Sequence, residues 1–262
     1  MTGGLSNMNT TFNEELYLTN ETGRMLYHKY AEHMPIIDYH CHLQPKEIYE
    51  NRQFEDIGEM WLSGDHYKWR AMRTFGIEEK YITGTETTYY EKYMKFAEIL
   101  PQMIGNPIYI WCALELKRFF GIDEPLSARN ADEIYKRTKA MIQEKNITPR
   151  WCMEISNVEL ASTTEDPIDD LHYHIALKED PSLKTRIITA FRPDKAMFLR
   201  DKEFGTYVKT LGQVAGVEIV TFKDLIGALE SRLQYFQKVT GTTVSDDGIP
   251  DFTWVDATEE EI

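Results

Sequence analysis

His40 and His42, with Cys41 between them, are spaced to place two imidazoles on one divalent cation. In an extended chain every second side chain returns to the same face, and a neutral ring nitrogen is a common metal ligand. Asp38 falls on the same alternation. The plainer alternative is that both rings line a polar surface or are hydrogen-bonded in a core. A second candidate is the pair His66-Tyr67. A tyrosine near a cation can ionise below its free value of about 10 and serve as base or acid, although a surface cap would use the same two residues. A third is Arg192, followed by Pro193 and Asp194. Its planar fork matches a substrate carboxylate, and a surface pair with Asp194 is the competing reading. The turn Thr163-Thr164-Glu165-Asp166-Pro167, with Asp169 and Asp170 beyond it, gathers acids, and Asp166 suits a helix cap as well as a functional role. His172 and His174 cannot share one helix face at that spacing, which makes them a poor joint metal site.

Each candidate needs an element to aim it. Met34-Pro35-Ile36-Ile37 leads into Asp38 as a strand, with Pro35 at the entry, where a missing donor is tolerated. Ahead of it, Phe12 to Met34 reads as an extended lead-in and then a helix, with Thr22 as N-cap and Met25, Leu26, Tyr30, Ala31 and Met34 at helical spacing. From Gln44 to about Asn146 the pattern is helical. Asp65 caps a helix that stops at Gly76 and carries His66 and Tyr67 in its first turn. Further helices are expected over Thr88 to Ile104, Pro107 to Phe120 and Asn130 to Lys145. From Asn157 short β-like runs alternate with polar turns and helices: Val158 to Ser162, Arg186 to Phe191 and Thr242 to Val244. Polar residues follow each run, where α/β barrels and sheets place their chemistry. The expected organisation is a lead-in helix and first strand over residues 1–43, a helical insertion over 44–148 and a partial barrel over 149–262. Thr258-Glu259-Glu260-Glu261 has the acidic character of a helix's opening turn.

Composition narrows the function classes. The chain has 262 residues, 42% of them hydrophobic, with 29 basic and 43 acidic side chains and a net charge of −14. The basic residues are scattered, which disfavours nucleic acid and anionic membrane as partners, so an anionic substrate would need a local basic pocket. No apolar run approaches a membrane span. The start, Met1 to Thr11, has neither a basic end nor an apolar stretch, which points to a cytoplasmic address. Cys41, Cys112 and Cys152 are an odd set without paired spacing, read as buried thiols and not as a disulfide framework or a cysteine zinc cluster.

The runs Met34 to Leu43, Gly64 to Arg73, Thr163 to Pro167 and Phe191 to Asp194 together resemble, in order and spacing, the uronate isomerase (glucuronate isomerase) family of amidohydrolase-type metal-dependent barrels. The resemblance extends from about Phe12 to the end of the chain. It implies an α/β fold of the TIM-type (β/α)8 kind, with a helical insertion after the first strand. It also implies interconversion of D-glucuronate with D-fructuronate and of D-galacturonate with D-tagaturonate in hexuronate catabolism, an aldose-ketose step by proton transfer. In that scheme His40 and His42 ligate a divalent metal, zinc. Tyr67 and His66 sit against the reacting carbons, His66 also contacting substrate, and Arg192 holds the sugar's carboxylate. The partner is a small uronate, and a homo-oligomer is left open. Two features depart from the family. Its pattern carries a histidine where this chain has Asp247, and its later strands, with a metal-binding aspartate, lie past Ile262. An incomplete barrel and a truncated form with impaired activity are therefore expected. A metal-dependent hydrolase of the same superfamily and a non-catalytic fragment or binding module are the alternatives.

Overall fold

Local signals fix most helix boundaries before any packing is considered. Pro107 at the first position of its helix gives up no needed donor, and Gly121 after the end takes a left-handed conformation (φ 64°) that a side chain resists. The computed structural model of the chain describes residues 15–248 and Thr258. Its elements begin with α1 (Glu21–Leu26), continued by a π-helical turn over Tyr27–Ala31, then β1 (Ile36–Asp38) and α2 (Pro45–Glu50). Six helices follow: α3 (Ile57–Leu62), α4 (His66–Thr74), α5 (Tyr89–Ile99), α6 (Pro107–Phe120), α7 (Ala131–Lys145) and α8 (Pro149–Ile155). The chain continues with β2 (Val158–Glu165), α9 (His172–Lys178), β3 (Arg186–Phe191), α10 (Asp194–Met197), α11 (Phe204–Ala215) and α12 (Phe222–Thr240).

Three boundaries differ from the sequence expectation. Asn20, and not Thr22, caps α1, its carboxamide oxygen accepting from the Gly23 backbone nitrogen at 2.8 Å. α5 stops at Ile99 instead of Ile104 because Pro101 has no N–H to continue it, and the chain tightens into a 3-10 turn over Leu100–Gln102. Thr242 to Val244 form no strand. Gly241, at φ 75°, has only just ended α12, and the Thr242 hydroxyl bonds the Thr189 carbonyl at 2.6 Å. Pairing starts later, as one parallel bridge between Phe191 and Ser245.

The chain divides into two compact units, the first running through Met34 and resuming over Arg52–Ile155, the second taking Pro35–Asn51 and the chain from Ser156. The first is helical. There α3 packs on α5 and α7, and Trp61, Tyr93, Phe96, Leu116, Phe120 and Ile134 are sealed from solvent. Several of its polar groups are answered internally, for example Tyr135 donating to the buried Asp56 at 2.6 Å.

The second unit holds a parallel sheet in the order β1-β2-β3. β2 and β3 pair from Leu160↔Arg186 to Glu165↔Phe191, whereas β1 pairs with β2 through an irregularity between Ile36 and Ile37. Helices α9 and α12 pack on β3, and Phe191 meets Phe236 edge-on at 5.2 Å. β1 is an edge among the described residues, and Ile36 and Ile37 are 45% and 52% exposed. The arrangement is α/β with a small parallel sheet, three strands and a bridge where eight strands make a closed barrel. The helical turn expected at Thr258 to Glu261 lies outside the described residues, Thr258 aside. No described helix is long and apolar enough to cross a membrane.

Candidate functional site

β1 ends at Asp38, so His40 and His42 lie just past its C-terminal end. Cys41 between them stays tied to β2: its N–H donates to the Ser162 carbonyl at 2.9 Å, and Thr164 Oγ1 donates to its carbonyl at 3.3 Å. With the middle residue anchored, the two flanking rings converge. Their Nε2 atoms are 3.0 Å apart and the rings meet edge-on, centroids 4.9 Å apart. Two ring nitrogens facing one point are what a divalent cation requires of an imidazole pair. Asp38 turns back on the backbone, with Oδ1 3.4 Å from the His40 nitrogen, and burial raises its carboxyl above the usual range. Among the described residues no group of three or more His, Cys, Asp or Glu side chains that could hold a metal ion forms; the histidine pair stands as two converging rings.

On its far side His40 faces a residue that sequence reasoning missed. Its Nδ1 lies 3.6 Å from Asp246 Oδ2, and the same oxygen is 2.9 Å from Arg192 Nη1. Arg192 Nε donates to Asp194 Oδ2 at 2.8 Å, so the expected pair with Asp194 exists but is one of two. These carboxylates, Asp194 foremost, make the guanidinium hold its proton still more firmly. The arginine's own N–H donates to the Glu165 carbonyl at 3.0 Å, which fixes its start at the end of β3. Asp194 Oδ1 in turn accepts from the Gly248 nitrogen at 2.8 Å, and a Cβ at Gly248 would stand 2.6 Å from Arg192 Nη2. Asp247, the neighbour that the sequence singled out, has Oδ2 3.3 Å from Ser245 Oγ instead. The signal for Asp246 is alternation about Ser245, readable only once the Ser245 bridge to Phe191 is known.

Behind the sheet lies a second polar group. Thr163 and Glu165 of β2 and Thr189 of β3 are buried together, and His174 of α9 reaches them. Thr163 Oγ1 is 2.7 Å from Glu165 Oε2 and 2.8 Å from His174 Nε2, and the Thr189 hydroxyl also donates to Glu165. Burial pushes the Glu165 carboxyl up to about 7, against the two hydroxyl donors and with help from Asp169. Burial, with the His172 charge, pushes His174 down to about 4. His172 instead pairs with Asp170 at the surface, so the two histidines of α9 part company as their spacing predicts.

His66 and Tyr67 belong to the helical unit. They occupy the first turn of α4 as the sequence predicts, with ring centroids 4.3 Å apart. Asp65 fixes that turn by accepting from the Tyr67 and Lys68 nitrogens at 2.9 and 3.1 Å, and its other oxygen pairs with Lys68 Nζ at 2.6 Å. The Arg70 guanidinium lies 5.8 Å from the Tyr67 ring. The sheet unit thus links His40, His42 and Arg192 in one group, while His66 and Tyr67 form a pair of their own.

Residues 8–262 match the family model described as glucuronate isomerase. The chain belongs to the glucuronate isomerase family. A uronate isomerase of Caldicellulosiruptor bescii is 47% identical over 255 residues, 97% of this chain and 54% of the relative. One from Bacillus subtilis is 46% identical over 244 residues, 93% of this chain and 51% of the relative. The crystal structure of a Thermotoga maritima uronate isomerase superposes with a TM-score of 0.82 at 34% identity, covering 94% of this chain and 54% of that one. A Caulobacter crescentus glucuronate isomerase gives 0.81 at 26% identity, covering 97% and 54%. The chain spans about half the length of the relatives it matches.

Proposed function

We propose that this chain carries the metal-binding and carboxylate-binding part of a uronate isomerase that interconverts D-glucuronate with D-fructuronate and D-galacturonate with D-tagaturonate. Family membership supports this, and one observation carries it: two imidazole nitrogens converge at 3.0 Å beside a guanidinium that shares Asp246 with one of them. His40 and His42 would hold zinc, which when bound polarises a substrate oxygen and favours charge development during proton transfer. Arg192 takes the uronate carboxylate on its planar edge, so a chain of net charge −14 meets an anion with one local cation. Tyr67 and His66 move the proton between neighbouring carbons, His66 also contacting substrate, as the family resemblance implies, and Asp65 keeps their turn in place. The three parallel strands form part of a (β/α)8 barrel, and the working enzyme is cytoplasmic.

The test is ketose formation from D-glucuronate with added zinc, by the chain alone and mixed with a separately expressed C-terminal remainder of the Caldicellulosiruptor relative. Turnover is expected in the mixture. No turnover by a version of this chain extended to full family length would end the assignment. Preference for lactones or amides would move it to the hydrolases of the superfamily.

A further inference from the structure

Asp246 stands between the two halves of the proposed site. Its Oδ2 and the Nδ1 of His40 are both buried, lie 3.6 Å apart, and lack a directed hydrogen bond, although Arg192 Nη1 is 2.9 Å from that oxygen as an ion pair. Buried polar atoms without a partner are uncommon. One arrangement satisfies both, with the ring proton on Nδ1 aimed at the carboxylate. It leaves the His40 Nε2 electron pair directed at His42, which is how a carboxylate behind a histidine orients a ligand ring. The same carboxylate, however, covers one edge of Arg192 while Asp194 covers another. An incoming carboxylate needs one of those edges.

We propose that Asp246 is a positioning residue that couples the two halves: it closes on His40 when the histidine pair is loaded, and in doing so releases the Nη1 edge of Arg192 to a substrate carboxylate. This rests on the uronate reading above. A histidine giving its Nε2 pair to a cation becomes a stronger Nδ1–H donor, so the 3.6 Å gap shortens and Asp246 is drawn from the guanidinium. Asp194, which holds Arg192 Nε, keeps the side chain in place throughout. Linkage makes the effect reciprocal, because whatever factor metal adds to carboxylate affinity, carboxylate adds to metal affinity.

Calorimetry with zinc and D-glucuronate as probes, each titrated with and without saturating amounts of the other, tests this on the 262-residue chain and on its Asp246→Asn and Asp194→Asn variants, with far-UV dichroism to verify folding. In the wild type, each ligand is expected to tighten the other by about fivefold or more. In Asp246→Asn that factor falls to one, glucuronate alone binds more tightly than to wild type, and zinc binds about tenfold more weakly. Asp194→Asn alters glucuronate affinity and keeps the coupling. Coupling that survives Asp246→Asn, or is absent from a wild type that binds both ligands, overturns the proposal and leaves the uronate reading standing. Failure of zinc or glucuronate to bind the wild type overturns that reading and the coupling with it. Nitrogen chemical shifts of His40 in the metal-free chain give an independent check: a proton on Nδ1 is expected in wild type and a mixture of tautomers in Asp246→Asn, whereas a wild-type proton on Nε2 overturns the positioning role.

Discussion

In the helical unit Trp61, Tyr93 and Phe96 are sealed from solvent, while in the sheet unit both isoleucines of β1 stand about half exposed. The difference follows from what each kind of element can cover alone. Amphipathic helices from one stretch of chain, Arg52–Ile155, bury their stripes against each other. A parallel strand must be covered on both faces and paired on both edges, and β1 has β2 on one side only among the described residues. The helical unit therefore draws its stability from its own core. The sheet unit places polar groups, His40, His42 and Arg192, just past its strand ends.

The strongest test compares Phe96→Ala with Ile37→Ala. Removing the sealed ring is expected to cost about 3–5 kcal/mol, read by urea denaturation, because the cavity cannot collapse. Ile37→Ala should cost no more than about 1 kcal/mol, since most of its side chain gains little from burial. Equal losses would show that β1 is as well covered as α5, and the contrast would be gone.

The next effect depends on pH and belongs to the sheet unit. Glu165 is raised from 4.5 to about 7, so its contribution is complete below pH 4.5 and is lost as pH rises to 7. His174 is lowered from 6.5 to about 4, so its contribution is complete above pH 6.5 and is lost as pH falls to 4. Between pH 4.5 and 6.5 the two slopes cancel. Glu165→Gln removes one of them, and the variant should lose roughly 3 kcal/mol between pH 6.5 and 4 where the wild type stays nearly level over most of that range. A variant whose stability follows pH as the wild type's does would dissociate the buried pair from the unit's acid response.

Binding comes next. His40→Ala is expected to weaken zinc uptake by about a hundredfold or more, read by equilibrium dialysis, because one ring nitrogen cannot replace two. Arg192→Lys should weaken uronate binding about tenfold and leave zinc nearly unchanged, since a point charge replaces a planar fork. Neither change should move the helical unit's unfolding. The smallest effects are the caps, where the units should agree: Thr88→Ala and Thr221→Ala each remove a reciprocal capping box and should each cost about 1 kcal/mol in thermal denaturation.

What could be read from the sequence was what local chemistry decides. Pro107 and Gly121 bracket α6, Asp65 starts α4, and the His40–His42 alternation survives beyond the end of β1 because Cys41 keeps pairing with β2. What escaped depends on contacts between distant segments. Asp246 is one of two adjacent aspartates, and only the Phe191 to Ser245 bridge determines which of them faces His40. The buried group of Glu165, Thr163, Thr189 and His174 joins two strands and a helix, and nothing in the order of residues announces it. The stripe Met25, Leu26, Tyr30 and Met34 has helical spacing yet stays exposed, since periodicity reports an apolar face and not whether anything covers it.

Gly248 gives Arg192 a neighbour without bulk. With 2.6 Å between a prospective Cβ and Nη2, the end of the Arg192 side chain must shift to admit any larger residue. Position 248 thus acts as a hidden dial: on the uronate reading proposed above, alanine there would detune the hold of Arg192 on a substrate carboxylate.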